Sequence, residues 1–110
     1  MSLRLEPGAG VLTAFLGGEI DHHTAKELRE GIDDAASEQK PGRLVLDFRE
    51  VTFMDSSGIG LIMGRYKILQ PMGGEIILLH PAPHIKRILR LAGMERLASI
   101  RHELGKETVQ

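Results

Sequence analysis

An α/β fold is what the sequence predicts, with helices packed on a partly parallel sheet. Two patterns carry that expectation. Apolar runs of strand length alternate with segments whose apolar residues return at helical spacing. Between them fall residues that favour turns: Gly8 and Gly10, Gly17-Gly18, Pro41-Gly42, Gly73-Gly74 and Pro81. The 110 residues are enough to bury one modest core, so a single domain spanning 1–110 is expected.

Residues 3–5 and 11–16 are strand candidates, paired through the Pro7-Gly8-Ala9-Gly10 turn. Thr24 opens the first helix. Thr24 and Glu27 have capping-box spacing: the hydroxyl accepts from the amide at 27, and the carboxylate reaches back. Ala25, Leu28, Ile32, Ala35 and Ala36 then form one apolar face. Residues 44–48, Leu-Val-Leu-Asp-Phe, read as a buried strand. The second helix runs from about 56 to 70. Ile59, Ile62, Met63, Tyr66 and Leu69 are its apolar stripe, and Pro71, Gly73 and Gly74 stop it. Residues 76–79 are a further buried strand. Ile85, Ile88, Leu89 and Ala92 mark a third helix, ended by Gly93, whose other face carries Lys86, Arg87 and Arg90 and reads as solvated. Residues 97–100 suggest an edge strand, and those after them a short helix or a frayed end.

Composition narrows the function. Lys and Arg number 14 against 15 Asp and Glu, a net charge of −1, which argues against a general binder of nucleic acid or anionic membrane. The absence of Cys excludes disulfides, thiol nucleophiles and Cys-type zinc sites. The start, Met-Ser-Leu-Arg-Leu-Glu-Pro, lacks the apolar core of a signal peptide, so a cytoplasmic protein is expected.

Ligands in open α/β sheets bind at the carboxyl ends of strands. Two loops fit that place: Glu19-Ile20-Asp21-His22-His23 and Met54-Asp55-Ser56-Ser57-Gly58. In the first, adjacent His22 and His23 reach one ion only awkwardly, and His80, His84 and His102 show no ligand spacing, so no metal is expected. Asp21 and His22 read as a polar turn feeding the Thr24 cap, so replacing Asp21 is expected to spare the fold. In the second, Asp55 or Ser56 serves as N-cap. A nucleophilic serine is disfavoured because Met54 stands where G-x-S-x-G needs its first glycine. Gly58, Gly60 and Gly64 cost a helix roughly 1 kcal/mol each relative to Ala. They either allow close packing on the sheet or leave the helix bare for another protein's backbone. They do not make a phosphate-cradling loop, which ends Gly-Lys-[Ser/Thr]. A serine at a helix N-terminus is a favourable place for a covalent phosphate, whose charge the free amides and helix dipole accept.

The stretch Glu19-Ile20-Asp21-His22-His23-Thr24-Ala25, with Phe53-Met54-Asp55-Ser56-Ser57-Gly58-Ile59-Gly60 and Gly64-Arg65-Tyr66-Lys67, resembles the anti-sigma factor antagonists of the STAS superfamily, in particular their sporulation branch. The resemblance covers nearly the whole chain and departs at the Pro7-Gly8-Ala9-Gly10 turn, at Pro71 and after Gly93. It implies a mixed sheet of four or five strands and a non-enzymatic switch without a cofactor. Ser56 matches the phospho-acceptor. Asp21 matches an aspartate that meets the anti-sigma factor. His22 and His23 beside it, and Asp55, Ser56, Ser57, Gly58, Gly60, Leu61 and Arg65 on the second segment, make up the rest of the expected partner surface. The resemblance further implies that the unphosphorylated protein, a monomer when free, binds the anti-sigma-F factor and releases sigma F. That factor is itself a serine kinase carrying Mg-ATP or ADP, and it inactivates the antagonist at Ser56. A membrane-bound sporulation phosphatase restores the serine. The alternative is a general-stress antagonist or scaffold acting on another anti-sigma kinase.

Overall fold

The computed structural model describes residues 2–103. Five strands form one sheet in the order β1-β2-β3-β4-β5: Ser2–Gly8, Val11–Ile20, Arg43–Met54, Glu75–Leu79 and Ser99–Arg101. Only β1 and β2 are antiparallel, joined by a hairpin in which Gly8 pairs with Val11; every later neighbour is parallel. Three helices fill the crossovers: α1 (His22–Gln39), α2 (Ser56–Leu69) and α3 (Pro83–Leu91). Right-handed crossovers stepping in one direction place all helices on one face. The core agrees: Leu12, Ala14, Leu44, Leu46, Ile76 and Leu78, the even positions of the strands, pack with Leu28, Ile32, Leu61, Ile62, Ile85 and Leu89 of the helices. The odd positions Val45, Ile77 and Leu79, with Val11, form a smaller cluster on the other face.

The strands are longer than the apolar runs, because edge and end positions tolerate polar residues once the ladder is set. Gly17-Gly18 is not a turn. Both lie inside β2, where the pairing with β3 shifts register, and Gly18 has φ of 81°. This is a bulge that a glycine tolerates without strain. The edge strand lies at Ser99–Arg101, after a single 3₁₀ turn at Met94–Arg96. Gln70–Met72, with Pro71, is another such turn closing α2. The expected helix or frayed end beyond residue 103 lies outside the described residues. Among the described residues, no helix is long and apolar enough to cross a membrane.

The face that α2 buries is rotated from the expected one. Gly58, Leu61, Ile62, Arg65 and Leu69 point inward, while Met63 is 40% exposed. Ile59, Leu61, Ile62, Met63, Tyr66, Ile68 and Leu69 circle nearly the whole helix, so spacing alone does not choose between two faces. Arg65 therefore lies inside, 5% exposed, with Nε 2.9 Å from Asp33 Oδ1 on α1. Burial lowers its pKa; Asp33 works in the opposite direction, and nearby Arg29 lowers it further. The expectation that Arg65 meets a partner gives way to a helix-to-helix tie.

Candidate functional site

The two expected loops shrink to one residue each. Asp21 links β2 directly to α1, and Asp55 links β3 directly to α2. Ile20 pairs with Met54 in the parallel ladder, and the Asp55 amide donates to the Ile20 carbonyl at 3.2 Å. The two aspartates and the two helix starts thus stand side by side at the carboxyl end of the sheet.

Asp21, not Thr24, is the N-cap of α1. Its Oδ1 accepts from the His23 and Thr24 amides, both at 2.9 Å. Thr24 closes the box from the third helical position: its Oγ1 accepts from the Asp21 amide at 2.9 Å and donates to the Glu19 carbonyl at 2.9 Å. Thr24 thus takes the place usually held by Glu or Gln. Two cap residues three apart compete, and the upstream one prevails because β2 runs straight into it. The Thr24 amide, above all, holds the Asp21 carboxyl below the usual aspartate range, with desolvation opposing and the His23 amide assisting.

Asp21 is therefore structural, against the expectation that its loss spares the fold. Asp21→Ala should lower the melting temperature by several degrees at pH 7, by calorimetry. Asp21→Asn should keep most of the cap. A depressed folded pKa means that the carboxylate stabilises above the usual 3.8 and that this contribution fades as pH falls through the folded value. The advantage of wild type over Asp21→Asn should then shrink in acid. A gap that widens there would show that the Asp21 charge does not stabilise the fold.

Asp55 caps α2 alone, its Oδ1 accepting from the Ser57 amide at 2.8 Å. Ser56 is the first helical residue and is exposed; Ser57 is half-buried. The three glycines divide between the two readings. A Cβ on Gly58 would stand 2.3 Å from Met54 Cγ and Sδ, so Gly58 serves close packing on β3. Among the described residues, a Cβ on Gly60 or Gly64 would meet nothing within 4 Å, and no contact requires those two glycines.

Between α1 and α2 runs an open groove of about 630 Å³. From α1 it takes His22, His23, Lys26 and Arg29; from α2 it takes Ser57, Gly60 and Leu61. Leu61, 4% exposed, is floor rather than surface. Asp21, His22, His23, Asp55, Ser56, Ser57 and Gly60 thus gather at one end of the molecule, while Gly58 and Arg65 point away into the packing. Lys26 and Arg29 escaped the sequence reading, though stepping four and seven residues on from His22 puts them on its face. Among the described residues, no group of three or more His, Asp or Glu stands close enough to hold a metal ion.

The STAS domain family model matches residues 3–107. The chain belongs to the STAS family. This STAS domain is 36% identical over 100 residues to an anti-sigma F factor antagonist of Paenibacillus polymyxa, covering 91% of the chain and 86% of that protein. It is 29% identical over 93 residues to an anti-sigma-B factor antagonist of Listeria monocytogenes, covering 84% and 80%. Its fold superposes on the anti-sigma factor antagonist SpoIIAA in its unphosphorylated form with a TM-score of 0.83, at 28% identity over 98% of this chain and 93% of that one. On the phosphorylated form of SpoIIAA, from Bacillus, the TM-score is 0.74, at 29% identity over 99% and 100%. The STAS fold and the regulatory family expected from the three motif stretches are both present. The family's antagonists act by binding, not by catalysis.

Proposed function

We propose that this STAS domain is an anti-sigma factor antagonist of the sporulation, sigma-F type, switched off by phosphorylation of Ser56. The observation that carries it is the outer face of α2. Ser56, Gly60, Met63 and Gly64 follow one another at helical spacing, and the two glycines have open space beside them. A helix that keeps two costly glycines for no internal reason leaves its backbone bare for a protein that lies against it. Ser56 stands at the head of that face, exposed and at the positive end of the helix, where a phosphate is tolerated by the fold and obstructs the partner. The partner is an anti-sigma-F factor that is also a serine kinase using Mg-ATP. A phosphatase of the same pathway restores the serine, and the exchange takes place in the cytoplasm. Identity to anti-sigma F antagonists, 36% and 34%, exceeds the 29% to an anti-sigma-B antagonist and supports the branch.

The test is intact mass and phosphosite mapping after incubation with an anti-sigma-F kinase and Mg-ATP. One phosphate on Ser56, absent from Ser56→Ala, is the expected result. Modification by an anti-sigma-B kinase alone would move the protein to the stress branch, and a phosphate on Ser57 would misplace the switch. The glycines make a separate prediction. Gly60→Ala and Gly64→Ala should each raise stability by about 0.5–1 kcal/mol in denaturant melts, while weakening partner binding in titrations. Stabilisation with unchanged binding would remove the bare helix face from the interface.

A further inference from the structure

The α1–α2 groove beside Ser56 is lined by bases and, among the described residues, by no acid. His22, Lys26 and Arg29 lie on one face of α1 over seven residues, about 10 Å along the axis. Neither Lys26 nor Arg29 forms an ion pair among the described residues. For Arg29 the reason is visible. Asp33, four residues on and its natural helical partner, is taken by the buried Arg65 instead. Arg29 and Arg65 then act on each other as like charges. Two helices also begin here with their positive ends side by side, and the nearby Oδ1 atoms of Asp21 and Asp55 are bound to helix amides. Uncompensated cations on the wall, an apolar floor at Leu61 and bare backbone at Gly60 are what an extended acidic peptide needs.

We infer that this groove receives an acidic segment of the anti-sigma partner, whose carboxylates lie along Lys26 and Arg29. The inference rests on the antagonist reading and adds the chemistry of the contact. Cations spread over two helical turns suit a row of carboxylates better than a single small anion, and the open groove admits a chain running lengthwise.

Lys26→Glu/Arg29→Glu tests it, with affinity for the ADP-loaded anti-sigma-F kinase measured at low and moderate salt. Both residues are exposed; the reversal removes a like charge from beside Arg65 but sets like charges four residues from Glu30 and Asp33, so thermal melts accompany the titration and a folded variant is required. The double variant should bind about 100-fold more weakly at low salt and recover part of the loss at moderate salt, because salt screens the new repulsion. Lys26→Gln/Arg29→Gln should fall between the two. Wild-type affinity and wild-type salt dependence in the double variant would overturn the groove assignment and leave the antagonist reading standing. Tighter binding by the variant would mean that the partner brings cations here, which overturns it equally. No binding by wild type itself would strike the antagonist reading, and the groove assignment with it.

Discussion

Ser56→Asp is expected to keep the wild-type melting temperature and to lose about 100-fold in affinity for the anti-sigma kinase, about 2.7 kcal/mol. The fold has no reason to respond. Ser56 is exposed, it is the first helical residue, and acidic groups in a first turn favour the helix dipole. The partner has every reason to respond. The new carboxylate sits at the head of the glycine face, beside the groove assigned to the partner's acidic segment. At ~6 Å and an effective dielectric near 20, one like-charge pair formed across the interface costs roughly 1–3 kcal/mol. A genuine phosphate, carrying about −1.5 to −2, should act more strongly than the carboxylate. Ser56→Ala should bind as wild type and stay active in the presence of kinase and Mg-ATP. Titration against the kinase, paired with thermal melts, checks both variants. Wild-type binding by Ser56→Asp and by phosphorylated protein together would sink the switch.

The second large effect concerns stability. Asp33→Ala should destabilise the fold by about 2 kcal/mol in denaturant melts. It leaves the Arg65 guanidinium 6% exposed, beside Arg29, without its carboxylate. A fully enclosed pair broken in this way costs roughly 3–5 kcal/mol; the Asp33 side chain is 36% exposed, so water softens the loss. Arg65→Met should be far milder, because it removes the charge and keeps the volume. If Asp33→Ala melts like wild type, Arg65 has found another partner and the tie between α1 and α2 is not electrostatic.

Alternating periodicity made the strand and helix order readable, because the two repeats, 2 and 3.6, rarely imitate each other in a chain with regular turn residues. It did not make the orientation of α2 readable. Apolar residues surround that helix, and the choice of face depended on where β3 ends and how directly Asp55 joins it. Arg65 lies inside for that reason, away from the partner surface on which the resemblance puts it. The cap of α1 was misplaced by one turn because Asp21 and Thr24 are both good cap residues. Only continuation of β2 as far as Ile20 decides between them. The exposed place of Ser56 at the start of α2, by contrast, is legible from its immediate neighbours. Lys26 and Arg29 belong to the site through α1's packing beside α2, a relation that no local motif encodes.

The one-residue junctions at Asp21 and Asp55 leave no slack between sheet and helix. A hinge needs residues that absorb dihedral change, and here each candidate is pinned by its own cap. A charge added at Ser56 therefore has no lever to pull. Under the proposed switch the message is written on the surface and read there, like a mark on a seal rather than the turning of a key. Its reversal then needs only hydrolysis of one ester, with no refolding to wait for.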